Sequence, residues 1–263
     1  MKAEKAKVAV IGGTGLEDIF KATKQLEVET PYGEPSRISL GSVNGQRIVF
    51  LQRHNAKHTI PPHMLNYKAN IHALHQVGTV RILATNAVGS ISQGLKPGDL
   101  VAPHDFIDFT KKRSQTFYDE APVTHIDLSQ PYCPQIRGLL VEASRRIGID
   151  VLNKAVLVCT EGPRFETPAE IEMFRRLGCD IVGMTSSPEA ALARELQMCY
   201  APLCYVSNMA VGMQKQLIPT AFSAVSSNIL PTVKELLVET IRILPEDRDC
   251  PCGKALKYAR AGF

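Results

Sequence analysis

No apolar run in these 263 residues approaches the ~20 that a helix needs to cross a bilayer. A membrane-spanning helix is therefore excluded, and no membrane partner is expected. A basic tract is also missing: 30 lysines and arginines are interspersed with 26 acids, for a net charge of +4. Nothing in that distribution would grip nucleic acid. The opening Met1-Lys2-Ala3-Glu4-Lys5 lacks the pattern of a secretory signal, so a cytoplasmic protein is expected. The Gly-x-Ser-x-Gly elbow is absent and no cysteine has an evident partner base, which argues against a covalent nucleophile. There is no internal repeat and no linker rich in Pro, Gly or Ser.

What is present is a chain 44% hydrophobic, enough for one large core. Buried-strand patterns fall at residues 7–11, 46–52, 81–85, 99–102, 106–109, 155–160, 180–184 and 200–206. Helical spacing falls at 66–76, 134–147, 168–177, 188–197 and about 221–244, and 111–129 is a polar, turn-rich loop. Strands and helices alternate, which predicts a single α/β domain over 1–245 with helices on both sheet faces. Residues 246–263 are expected to form a C-terminal tail.

Several of these strands run straight into polar or glycine-rich clusters, which should gather at one sheet edge. Gly12-Gly13-Thr14-Gly15 exposes backbone N–H groups that suit an anion, though a purely structural turn has the same composition. It lacks the Gly-Lys-Ser/Thr of a P-loop, and Asp18 breaks the dinucleotide fingerprint. Arg53 is suited to a two-pronged phosphate clamp. His54 and His58 are spaced like a zinc pair but lack the intervening Glu of the protease motif, and either can be a packing residue. Thr185 precedes a helix start, and Glu189 either caps that helix or accepts hydrogen bonds from a base. Asn208, at the end of the last strand, carries an amide that both donates and accepts.

Seven cysteines are present. Cys250-Pro251-Cys252 lies in the polar tail and suits a redox pair, a tail staple or two free thiols. No further metal ligands stand nearby in sequence, and no metal is expected.

Together these motifs resemble the purine nucleoside phosphorylase and methylthioadenosine phosphorylase family, most closely its methylthioadenosine branch, over about residues 7 to 245. The residues that carry the resemblance include Ile11-Gly12-Gly13-Thr14-Gly15-Leu16, Arg53-His54 with His58-Thr59-Ile60, Asn66-Tyr67-Lys68-Ala69-Asn70-Ile71 and Gly89-Ser90 with Pro97-Gly98-Asp99. Ser114-Gln115-Thr116-Phe117-Tyr118-Asp119, Glu161-Gly162-Pro163-Arg164-Phe165 and Met184-Thr185 with Pro188-Glu189 complete the set.

The resemblance implies the nucleoside phosphorylase fold, a central mixed sheet flanked by helices. It implies that Thr14, Arg53, His54, Asn86, Ala87 and Thr185 hold phosphate, which is a cosubstrate, and that no cofactor is needed. Met184 then packs under the ribose and binds its hydroxyls through the backbone, while Phe165 stacks near the base. His125 reaches a neighbouring subunit's site in a homotrimer or homohexamer. The 5′ side lies near Thr220, Ala221 and Val225.

The chain departs from the methylthioadenosine branch where that branch carries two aspartates: here stands Asn208-Met209-Ala210. Asn86 and Glu166 depart as well. An Asn at 208 resembles the inosine- and guanosine-cleaving members, which pair it with a Glu such as Glu189. A 6-oxopurine offers an acceptor at O6 and a donor at N1–H, and adenine reverses that edge. Phosphorolysis of 6-oxopurine nucleosides is the expected activity, with S-methyl-5′-thioinosine or S-methyl-5′-thioadenosine as alternatives. Asn208 would stabilise the departing base, with His54 beside the phosphate.

Overall fold

The computed structural model describes residues 5–13, 15–16, 19, 21–55, 59–214 and 219–260, with the backbone alone at 21, 22, 219–221 and 223. The described residues form a central mixed sheet with helices on both faces. Strand β1 (Val8–Gly12) is buried throughout, and its side chains alternate between two cores. Val8 and Val10 enter one apolar cluster, whereas Ala9 and Ile11 enter the other. A β-hairpin, β3 (Ile38–Val43) and β4 (Gln46–Gln52), lies beside β1, and β2 (Lys21–Leu26) edges it. The 3₁₀ turn at Pro62–Met64 leads to helix α1 (Tyr67–Gln76), whose N-cap Asn66 accepts from the Ala69 N–H.

Strand β5 (Arg81–Ser90) is the hub. Its first half pairs parallel with β1, and its last two residues pair antiparallel with β10 (Ile181–Gly183). All along its other side runs β11 (Cys199–Met209), parallel to it. Short strands β6 (Leu100–Val101) and β8 (Val151–Leu152) extend the sheet beyond β11, while β7 (Asp105–Phe109) and β9 (Val156–Thr160) extend it beyond β10. Helices α2 (Pro134–Arg146) and α5 (Pro219–Arg242) cover one face. On the other face lie α1 and α4 (Ser186–Glu195), and α3 (Pro168–Arg176) packs its buried Ile171 and Phe174 near β9 and β10.

Two strands outrun their sequence expectation. β5 continues to Ser90 and β11 to Met209 because they go on pairing across a β-bulge, where Val206 faces Val88 and Asn208 faces Gly89. The extra residue, Ser207, turns both itself and Asn208 toward the same cavity. Asn86 and Asn208 thus sit within strands rather than beyond them. Residues 111–129 contain no helix or strand, as expected.

The tail is not a loose appendage. Arg81 donates to the carbonyls of Glu246 and Asp247, His125 N–H donates to the Ala259 carbonyl, and Cys252 is fully buried. Cys250 and Cys252 are both free thiols, as one of the three alternatives had it, but they lie in a segment packed against the domain. The Sγ atoms of Cys250, Cys252, Cys133 and Cys199 all lie within 4.8 Å of one another. Ligand-type partners absent from the tail's own sequence are supplied by the start of α2 and the start of β11.

Candidate active site

A cavity of about 870 Å³ opens at the carboxyl ends of β1, β5 and β11 and is closed on one side by α5. Gly13 lines it, and a side chain at that position would meet nothing within 4 Å, so its backbone is open to approach. Gly15 holds φ +90, and a Cβ there would come within 2.7 Å of Leu230 on α5. Gly15 thus has a structural role in the turn, and both Gly13 and Gly15 line the cavity. Thr14 and His58 lie outside the described residues.

Arg53, His54, Asn86, Ala87 and Thr185 come together along one side of the cavity. Arg53 is only 2% exposed. Its Nε and Nη2 donate to the two oxygens of Glu189 at 2.5 and 3.0 Å, and Nη1 donates to the Thr85 carbonyl at 2.8 Å. Burial works against its charge, and the Glu189 carboxylate more than offsets this, so its pKa stays above the ordinary value. Three of five guanidinium N–H groups are thus used in holding it, which leaves two that could meet an anion. His54 Nδ1 lies 2.8 Å from the Ile60 carbonyl; since that oxygen only accepts, Nδ1 carries the hydrogen.

Thr185 is the N-cap residue of α4, whose positive end meets the cavity. Its hydroxyl makes no cap bond and donates instead to Asn86 Oδ1 at 2.7 Å. Asn86 Nδ2 is buried without an oxygen or nitrogen partner, beside the weakly accepting Cys204 thiol. Through Oδ1, Asn86 positions the Thr185 hydroxyl on the cavity wall that both residues line.

The structure corrects the assignment of Glu189 to the base. Its carboxylate is sequestered between Arg53 and the Tyr200 hydroxyl (2.7 Å), and Glu189 does not line the cavity. An arginine buried at a strand end needs a counter-ion, and Glu189, on the adjacent helix, is that ion. Glu166 lines the cavity instead. Thr160 donates to its Oε1 at 2.6 Å, and Oε2 takes no hydrogen bond among the described residues. Asn208 Oδ1 accepts from the Ser207 hydroxyl at 2.7 Å, and Nδ2 gives one N–H to the Met209 carbonyl at 2.9 Å. The second N–H remains for a ligand. Ala210, 2% exposed, leaves room beside it, and Phe165 stands at the mouth, edge-on to Phe222 of α5.

Met184 lines the cavity, but Arg113 and Tyr67 hold its carbonyl, so sugar hydroxyls would meet its N–H. Arg113 is a residue that sequence reasoning missed. It also donates to the carbonyls of Thr160 and Glu161 and to the Tyr67 hydroxyl, fastening three segments around the site. No motif marks it, because most of its partners are main-chain atoms. His125 is exposed and does not line the cavity of its own chain. The Ala221 side chain lies outside the described residues; α5 contributes Phe222, Ser226 and Leu230 to the wall.

The sequence matches the phosphorylase superfamily over residues 7–242. It is 46% identical over 262 residues to the 6-oxopurine nucleoside phosphorylase of Pyrococcus furiosus, covering 96% of this chain and 98% of that one. It is 41% identical over 259 residues to the S-methyl-5′-thioadenosine phosphorylase of Thermofilum pendens, covering 97% and 99%. The fold matches the crystal structure of a methylthioadenosine phosphorylase from an Antarctic soil metagenomic library with a TM-score of 0.93 at 34% identity, covering 98% of this chain and 93% of the other.

Proposed function

The chain belongs to the phosphorylase superfamily, in the branch of methylthioadenosine and 6-oxopurine nucleoside phosphorylases, and from that premise we propose that it favours 6-oxopurine nucleosides. It is a pentosyltransferase that cleaves purine or methylthio nucleosides with phosphate as cosubstrate. The observation that carries the preference is the pairing of Glu166 and Asn208 on one cavity. The spare carboxylate oxygen of Glu166 accepts from N1–H of a 6-oxopurine, and the spare N–H of Asn208 donates to N7 or O6. Adenine would turn its unprotonated N1 toward the carboxylate, a mismatch of about 1–3 kcal/mol.

In this mechanism, phosphate sits between the Gly13 backbone, Arg53, His54 and the N-terminus of α4. It attacks C1′ as the glycosidic bond loosens, and an oxocarbenium-like sugar passes between base and anion. Negative charge gathers on the departing purine, where Asn208 stabilises it. Positioning and electrostatics supply the rate, without a covalent intermediate. The products are the free base and ribose 1-phosphate.

A second reading, a 5′-methylthio nucleoside with the same oxo base, draws support from Leu16, Phe222 and Leu230, an apolar wall on the α5 side. His125, outside its own cavity, fits the proposal that subunits of a cytoplasmic homotrimer or homohexamer complete each other's sites.

One panel tests both: inosine, guanosine, adenosine, methylthioinosine and methylthioadenosine, each with and without phosphate. Base release that needs phosphate and favours the oxo members at least about tenfold is expected. Equal or preferred cleavage of the 6-amino members would overturn the base assignment, and the methylthio pair reports the 5′ side.

A further inference from the structure

At the opposite end of β11 from the cavity, four sulfur atoms converge from three distant segments. Cys133 precedes α2, Cys199 opens β11, and Cys250 and Cys252 flank Pro251 in the tail. All four thiols are free, and every Sγ–Sγ separation is within 4.8 Å, with Cys199 and Cys250 at 3.4 Å. We propose that Cys133, Cys199, Cys250 and Cys252 form a tetrathiolate site for one zinc-type divalent ion, which clips the C-terminal segment to the base of the sheet.

The geometry fits the ion. Four thiolates at about 2.3 Å from zinc define a tetrahedron with edges of about 3.8 Å, so the sulfurs are near their final places. The spacing of Cys250 and Cys252 is one residue tighter than the usual pair of such sites. It is made workable by the extended backbone at Cys250 (φ −158, ψ 158), followed at once by the 3₁₀ turn Pro251–Lys254. Four soft ligands, three of them buried and Cys250 half-buried, select a d¹⁰ ion over magnesium or calcium.

The electrostatics fit as well. A zinc tetrathiolate carries a net charge of −2. Cys133 stands at the N-terminus of α2. The Arg248 guanidinium packs so closely on Gly253 that a Cβ there would come within 2.8 Å of it. Loading one ion releases protons only, whereas closing two disulfides would require an external oxidant for each. Asn208 lies nine residues up β11 from Cys199, about 30 Å away at 3.3 Å per residue, so the site is structural.

The test is metal analysis of the full chain purified with reductant and without chelator. About one zinc per chain is expected. Cobalt substitution of the unmutated chain should give the d–d and thiolate charge-transfer bands of tetrahedral sulfur ligation. C250S/C252S should lose the ion and melt at lower temperature while keeping the wild-type kcat/KM in the cold. The proposal is overturned by a metal-free chain, and fewer than seven titratable thiols in denaturant after purification without reductant would mean disulfides in its place. Cobalt without tetrahedral sulfur bands would overturn it, and so would metal content unchanged in C250S/C252S. The cobalt spectrum needs no variant, so it decides even if C250S/C252S fails to fold.

Discussion

The two sides of the cavity are built differently. On the side proposed for the anion, nearly every polar group is already committed to another: Arg53 to Glu189 and Thr85, Glu189 to Tyr200, Thr185 to Asn86. Such a network fixes geometry before the ligand arrives and spends little on reorganisation when it does. On the side proposed for the base, Glu166 is anchored by Thr160, and Asn208 by Ser207 and the Met209 carbonyl; Glu166 keeps one oxygen and Asn208 one N–H for the ligand. Phosphate is the same in every turnover, whereas bases must be told apart. Rigidity therefore belongs on one side and unspent hydrogen-bonding capacity on the other.

The contrast breaks most sharply at Glu189. Glu189→Gln leaves the Arg53 charge buried without a counter-ion and should cost about 3–5 kcal/mol of stability. Urea unfolding measures it, and a loss under 1 kcal/mol would mean that the pair is not holding the anion side. Next in size is Glu166→Gln, which should lower kcat/KM for inosine about 10- to 100-fold and affect adenosine far less. An equal fall for both would make Glu166 a packing residue. Thr185→Ala should raise the phosphate KM about tenfold with a smaller change in the nucleoside KM. Asn86→Ala should move the same parameter in the same direction by less; a larger effect than Thr185→Ala would show that Asn86 meets phosphate itself.

The smallest effect lies on α3, outside both halves. A hydrogen bond from Arg164, and then one from the Thr167 N–H, hold the Glu170 carboxyl at about 2, below its ordinary 4.5. A depressed acid stabilises the fold fully above its unfolded pKa and loses that contribution as pH falls through its folded one. Glu170→Gln should therefore narrow the Tm difference from wild type as pH drops from 4.5 toward 2. The effect is small because the pair is solvent-screened. A Tm difference that widens in acid would contradict it.

The fold was legible where burial is two-sided. Strands β1, β4, β5 and β9 announce themselves as continuous apolar runs, and α1 to α4 by periodicity and caps. The hairpin strands β2 and β3 were missed because β2 is polar. Yet Asn44-Gly45, with φ of 50 and 80, marks the β3–β4 turn and was a usable signal. At the site, Arg53, His54, Thr185, Phe165 and Asn208 were readable as residues, and the structure gathers them on one cavity. The partnership of Glu189 was not, since an ion pair across 136 residues leaves no local trace. Glu166 was visible only as a departure from the methylthioadenosine branch. The four-cysteine cluster was hidden for the same reason as the ion pair: its members come from three distant segments.

The most direct test is the ratio of kcat/KM for inosine to that for adenosine, measured in wild type and Asn208→Asp. A ratio well above one in wild type, falling by about tenfold or more in the variant, is expected from a carboxamide that donates to an oxo base. A ratio at or below one, or one that the substitution leaves unchanged, would contradict the assignment of the base side.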